Sequence, residues 1–226
     1  MTILFEELLD AGFSEAEYDA WLVSIMDGDQ FGSDFVAINP NSKIPALLDC
    51  SGDKPFRVFE SGAILMHLAE KFGAFLPTSG PARAECLSWL MWQMGSAPMI
   101  GGGFGHFYAY APEKYEYPIN RYAMETKRLL DVADKRLGDS EYLAGADYTI
   151  ADMAAYGWFS RMVNGEAYGN AGEFLQISEY ANLVRWSNQL GQRRGVKRGS
   201  IVNRKGEGFI ENRHSAADID AILGTN

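Results

Sequence analysis

Cysteine is scarce in this 226-residue chain, and the two present, Cys50 and Cys86, are too far apart for a C-x-x-C pair. Neither a disulfide scaffold nor a thioredoxin-type dithiol is expected, and a reducing, cytoplasmic setting is the default. Positive charge is also in short supply: 20 lysines and arginines stand against 30 aspartates and glutamates, a formal net charge of −10. Such a surface repels phosphate backbones and argues against generic nucleic-acid binding. No apolar run approaches the ~20 residues of a membrane helix. The opening "MTILFEELLDAG" carries Glu6, Glu7 and Asp10 where a signal peptide would be basic and then purely apolar. His67, His106 and His214 have no metal-ligand spacing and no G-x-S-x-G elbow occurs, so neither a metal site nor a hydrolase triad is expected.

What is present has a clear order. Residues 2 to 11 place Ile3, Leu4, Leu8 and Ala11 at helical spacing, ending near Gly12. "YDAWLVSI" is rich in β-formers and predicts a strand over 18 to 25, followed by a break at "DGDQFGS" and a helical turn near 32 to 38. "ALLDC" and "FRVFE", joined by "SGDKP", predict an antiparallel hairpin. "ESGAILMHLAEKFG" puts Ile64, Leu65, Leu68 and Phe72 on one helix face, with Gly73 as its stop. "GAFLPTSGPA" reads as a linker, after which helical periodicity dominates from residue 82 in at least four segments. The expected division is a first domain at 1–77 and an all-helical domain at 82–226. "GGGFGHF" at 101 to 107 fits no phosphate-loop pattern and predicts a flexible break between helices. The tail from about 195 is expected to run extended over the surface until a last helical turn at "SAADIDAIL".

Two places could carry chemistry. In "NPNSKIPALLD", Pro45 precedes a strand; a cis peptide there would turn the N–H and C=O of Ile44 outward to an extended peptide, whereas a plain strand start is the commoner outcome. Lys43 beside it is a solvated lysine or a cation for a ligand carboxylate. Fifteen residues on, Glu60 and Ser61 sit where a strand gives way to a helix, whose N-terminal amides suit an anion, although an ordinary N-cap uses the same residues. Thr149 and Asp152 have capping-box spacing, which makes Asp152 a stability residue and not a general base. Trp89, Trp92 and Met94 suggest core or interface packing, and an apolar pocket would use the same residue types.

Taken together, "NPNSKIPAL", "VFESGAILMHLAEKFG" and "YTIADM", in this order, resemble a cytosolic glutathione transferase. "DGDQF", "GGGFGHFYAYAP", "INRYAMETKRLLDV" and "VKRGSIVNR" bring the resemblance to the bacterial nu-class type, the homologues with disulfide-bond oxidoreductase activity, over residues 1 to about 205. The resemblance implies an α/β thioredoxin-like N-terminal domain, an all-α C-terminal domain and a homodimer. It implies glutathione as co-substrate, a small disulfide or electrophile as its partner in the reaction, and no metal. Carried over by position, the Ile44 main chain before Pro45 would pair with the cysteinyl backbone of glutathione. Glu60 and Ser61 would hold its γ-glutamyl group, Lys43 would lie near a carboxylate, and Gln30 and Arg121 would contact the two glutathiones of such a site.

The resemblance also implies a first β-strand and a Thr- and Asn-containing turn ahead of the first helix. Here Met1 falls within that helix's first turn, so this strand and turn are expected to be absent. Backbone groups left unpaired by a missing inner strand would cost roughly 1–3 kcal/mol each. The preferred explanation is that Met1 is an internal methionine of a longer natural chain, ahead of rearrangement, segment swapping or a degraded paralogue. With no C-x-x-C, the thiol for disulfide exchange would come from glutathione, and no catalytic side chain is named. The leading expectation is a glutathione-dependent disulfide reductase with weak conjugating or peroxidase activity. The alternative is a non-catalytic glutathione-binding or interaction protein that keeps the fold.

Overall fold

The first apolar stripe does form a helix. In the computed structural model, which describes residues 1–224, α1 (Thr2–Asp10) buries Ile3, Leu4, Phe5 and Leu8. A short α2 (Ser33–Ile38) leads to β1 (Ala46–Asp49) and β2 (Phe56–Phe59). These strands form the expected hairpin, with Ala46 opposite Phe59 and Asp49 opposite Phe56. In α3 (Ser61–Phe72) the apolar face buries Ile64, Leu65 and Leu68. Gly73 ends it with φ 63°, a left-handed conformation that glycine adopts without the clash a Cβ would bring.

The strand expected over 18 to 25 is not formed. Among the described residues only Ala20 of this stretch makes a bridge, to Arg213, and the next N–H that is bonded, that of Leu22, goes to the side chain of Asn212. Beyond it, Ser24 folds back in a turn with Asp29.

Residues Phe75 to Gly191 make a second compact unit. It comprises α4 (Gly80–Pro98), a π-helix (Met99–Tyr110), α5 (Glu116–Asp139), α6 (Ile150–Val163), the single turn α7 (Ala171–Phe174) and α8 (Ala181–Gly191). Leu90, Ile100, Phe104, Leu129, Leu130, Phe159 and Trp186 fill its core. The glycine run expected as a break is instead the wide-wound continuation of α4. Its glycines admit aromatic rings directly onto the backbone: a Cβ on Gly103 would lie 2.4 Å from Tyr122, and one on Gly105 2.3 Å from Tyr168. The Thr149 capping box is present at the start of α6.

The tail also differs from expectation. Residues 194 to 200 form α9 (Arg194–Ser200), and α10 (Ala216–Leu223) follows. The backbone of α9 lies so close to α1 that a Cβ on Gly199 would fall 2.5 Å from Ile3. Two arginines that read as surface charge are buried: Arg198 Nε donates to Glu6 at 2.8 Å and Arg213 Nε to the same carboxylate at 3.0 Å. Tyr18 adds its hydroxyl to Glu6 at 2.9 Å, and Arg193 pairs with buried Glu7 at 2.6 Å. Three donors around one carboxylate offset its desolvation, so the tail is fastened where a solvated strip was expected. The described residues from Gln192 on therefore belong to the same compact unit as residues 1–74, whereas the expected division assigned them to the helical domain. Among the described residues no helix is long and apolar enough to cross a membrane.

Candidate functional site

The chain enters β1 through a tight loop built on Asn39, whose side chain is 1 % exposed. Its Oδ1 accepts the Asn41 N–H at 2.9 Å, and its Nδ2 donates to the Lys43 carbonyl at 2.6 Å. Ser42, at φ 53°, turns the backbone between them. The Ile44–Pro45 peptide is cis. Ile44 is exposed, and among the described residues its N–H and C=O make no backbone hydrogen bond. Its main chain is thus available to an extended partner.

The hairpin register brings the second cluster to the same end. Because Ala46 faces Phe59, the residues just before β1 and just after β2 are neighbours. Glu60, at φ 68°, is the N-cap of α3, and Asn41 Nδ2 donates to its carboxylate at 3.3 Å. Among the described residues the N-cap Glu60 makes no side-chain capping bond, so the helix dipole and first amides of α3 face this end of the hairpin and favour an anion. Lys43, Ile44, Pro45, Glu60 and Ser61 thus come together: a peptide edge, an anion-favouring helix end and a carboxylate for a cation. This set can recognise a small zwitterionic peptide.

Gln30 sits on a 3₁₀ turn (Asp29–Phe31), where its Nε2 reaches the Ile25 carbonyl at 3.4 Å and its Oε1 is buried without a hydrogen-bond partner. Arg121 belongs to the second unit, on α5, exposed and 3.8 Å from Glu125.

Sequence reasoning missed the anchor behind the site. Asp49, buried at the end of β1, accepts His67 Nε2 at 2.8 Å, Lys71 Nζ at 2.9 Å, and both the N–H and the hydroxyl of Ser51. Burial alone would raise its carboxyl, but the bonds from Lys71, Ser51 and His67 prevail and hold it well below the usual carboxylate range. The hairpin is thereby tied to the helix that presents Ser61. The available signal was the i, i+4 pair His67 and Lys71 on one face of a helix behind a strand ending in Asp.

Of the two cysteines, Cys50 is exposed and Cys86 buried. Burial pushes the Cys86 thiol up, the wrong direction for a thiolate nucleophile. Among the described residues no group of His, Cys, Asp and Glu could hold a metal ion.

Comparison with known proteins gives this geometry a context. The glutathione S-transferase N-terminal domain profile matches residues 5–70 and the corresponding C-terminal domain profile residues 117–189. The disulfide-bond oxidoreductase YghU of Escherichia coli K12 is 55 % identical over 223 residues, 97 % of this chain and 77 % of the relative. A Streptococcus pneumoniae glutathione transferase YghU, solved with glutathione, superposes with TM-score 0.86 at 61 % identity, covering 88 % of this chain and 76 % of that one. A glutathione transferase family member from Pseudomonas fluorescens, solved with two glutathiones bound, has TM-score 0.78 at 39 % identity, covering 88 % and 86 %.

Proposed function

Because this chain belongs to the glutathione S-transferase family, we propose that it is a glutathione-dependent disulfide reductase. The observation that carries this reading is the hairpin mouth, where the open Ile44 main chain, the α3 N-terminus and the Glu60 carboxylate converge. Each matches one part of glutathione. The Ile44 N–H and C=O pair with the cysteinyl backbone beside Pro45. Glu60 takes the γ-glutamyl ammonium, while Ser61 and the first amides of α3 take the α-carboxylate. Lys43 lies on the same loop for a second carboxylate. Gln30 and Arg121 are assigned to glutathione contacts by family position, in keeping with relatives solved with two glutathiones bound.

The sulfur chemistry then belongs to glutathione. A small disulfide is reduced to two thiols as two glutathione thiols become one disulfide, and the protein contributes binding, orientation and stabilisation of a thiolate. Neither cysteine is placed for this step, since Cys86 is buried with a raised pKa and Cys50 has no dithiol partner. The reaction suits a reducing cytoplasm. A homodimer suits the exposed Met91, Met99, Tyr117 and Met124 of the second unit.

The deciding experiment is reduction of a small disulfide such as 2-hydroxyethyl disulfide by glutathione, coupled to glutathione reductase, alongside calorimetric titration with glutathione. Turnover above the uncatalysed exchange with saturable binding is expected. Binding without turnover would make the protein a non-catalytic binder, and absence of binding would remove both readings.

A further inference from the structure

Gln30, assigned to glutathione by family position, sits on a turn with little apolar burial to shape it. No residue of Asp29–Phe31 is buried as a whole, and Ile25, Met26 and Phe31 are exposed. Polar bonds shape the turn instead. The Ser24 carbonyl accepts the N–H groups of Asp27 at 3.1 Å and Asp29 at 3.2 Å, and Asp29 Oδ2 accepts the Ser24 N–H at 2.9 Å. Gly28, at φ 83°, carries the chain between the two aspartates through the left-handed region. Gln30 Nε2 donates to the Ile25 carbonyl inside the same turn at 3.4 Å. A flipped amide would set oxygen against oxygen there, so this bond decides that Oε1 is the atom turned away from Ile25.

A second hold on the turn comes from far along the chain. Lys205 Nζ reaches Ser24 Oγ at 3.3 Å and Asp27 Oδ2 at 3.4 Å, and Ser24 Oγ itself donates to Asp27. These bonds, Ser24's ahead of Lys205's, hold the Asp27 carboxyl below its ordinary value. Lys205 is presented by a closed loop. The Ile210 N–H bonds the Ile201 carbonyl at 2.9 Å, the Arg204 N–H bonds the Ile210 carbonyl at 3.1 Å, and the Arg204 guanidinium lies 4.0 Å over the Phe209 ring. Arg198 before the loop and Arg213 after it are both anchored on Glu6. The tail that fastens α1 therefore also reaches the turn that carries Gln30.

We propose that Asp29 and Lys205 are positioning residues for the glutathione site. Asp29 closes the turn, Lys205 tethers it to the tail, and together they hold the Gln30 amide with its oxygen set to accept an N–H of glutathione. The ligand rests on the disulfide-reductase reading, and the geometry rests on the turn alone. The Lys205 and Asp27 side chains are 58 % and 65 % exposed, so the tether is the weaker hold and the Asp29 bond the stronger.

The test combines reduction of 2-hydroxyethyl disulfide at varied glutathione with proton–nitrogen correlation spectra of the Gln30 side-chain amide, assigned from its loss in Gln30→Ala. Asp29→Ala should raise KM for glutathione about tenfold and Lys205→Met about threefold, with kcat held within about twofold. Lys205→Arg should restore the parent KM. In a Gln30→Ala background both increments should vanish, because the turn then has no amide to position. Without glutathione, Asp29→Ala should move the Gln30 amide signals toward those of a solvated glutamine. Unmoved Gln30 signals in Asp29→Ala, or KM increments that persist in full in Gln30→Ala, would overturn the positioning role. A parent protein that neither binds nor turns over glutathione would overturn the ligand, while the spectra taken without glutathione decide the turn by themselves.

Discussion

Asp152→Asn separates a structural carboxylate from a chemical one. The side chain is fully buried, and its two oxygens take four donors. Oδ1 receives the Leu143 N–H at 2.9 Å and the Trp186 indole at 3.0 Å, while Oδ2 receives the Thr149 N–H at 3.0 Å and its hydroxyl at 3.2 Å. Burial pushes the carboxyl above its ordinary value, and the bonds from Leu143, Trp186 and Thr149 act against that rise. An amide keeps one acceptor oxygen. With that oxygen in the Oδ1 place, its NH₂ faces Thr149, whose hydroxyl can rotate to accept, leaving one backbone donor without a partner. At roughly 1–3 kcal/mol per buried donor orphaned, Asn should cost about 2 kcal/mol. Asp152→Ala strands three donors that cannot turn away, and after relief from burying a charge it should cost about 5 kcal/mol, comparable with a whole domain's margin. Thr149→Ala, the loss of an N-cap, should cost about 1 kcal/mol. Urea unfolding at pH 7 followed by tryptophan emission orders these variants. Four of the five tryptophans, Trp89, Trp92, Trp158 and Trp186, lie in the second unit and Trp21 in the first, so the signal is dominated by the unit that holds Asp152. Turnover per folded molecule should be unchanged. The reasoning is refuted if Asp152→Ala unfolds within about 0.5 kcal/mol of the parent while turnover per folded molecule collapses.

Three further predictions concern the site and its support. Glu60→Ala and Ser61→Ala should each weaken glutathione binding by roughly 10- to 100-fold, the range for a hydrogen bond to a charged group, and unchanged calorimetric affinity in both would remove the assignment. Asp49 is held below its ordinary 3.8, so as pH falls the unfolded chain takes up a proton before the folded one does, and stability is lost on acidification from about pH 5 downward. Asp49→Asn should flatten that acid limb in melting curves from pH 3 to 7, whereas an equally steep limb would place the titrating group elsewhere. Gly103→Ala drives a Cβ to 2.4 Å from the Tyr122 ring and should cost about 1–3 kcal/mol, while Gly102→Ala, with nothing within 4 Å, should be neutral or slightly stabilising. Equal melting temperatures for the two would contradict the packing drawn for the π-helix.

The elements legible in the sequence are those decided by local chemistry. The hairpin, the α3 stop at Gly73 and the Thr149 cap depend on residues within a few positions of each other, so their types sufficed. The elements misread are those decided at long range. Glycines at 101, 103 and 105 signal a break until Trp158, Tyr122 and Tyr168, distant in the chain, supply the rings that need the space. Arg198 and Arg213 look like solvated tail residues because the carboxylate that buries them, Glu6, lies about two hundred positions earlier. The stretch at 18–25 shows the same dependence: β propensity describes fit to a neighbouring strand, and among the described residues Ala20 pairs with a single residue of the tail. The candidate site divides along the same line. Pro45, Glu60 and Ser61 were visible as a turn and a cap, but their convergence depends on the hairpin register and on Asp49 clamping β1 to His67 and Lys71 of α3. That clamp links stability to function, because the helix end that would receive an anion and the peptide edge beside Pro45 hold their spacing only while Asp49 is ionised. Because the folded carboxyl stays ionised well below the pH at which stability begins to fall, glutathione affinity of the folded parent should hold through the acid limb as far as Asp49 is concerned, whereas Asp49→Asn should lower affinity already at pH 7.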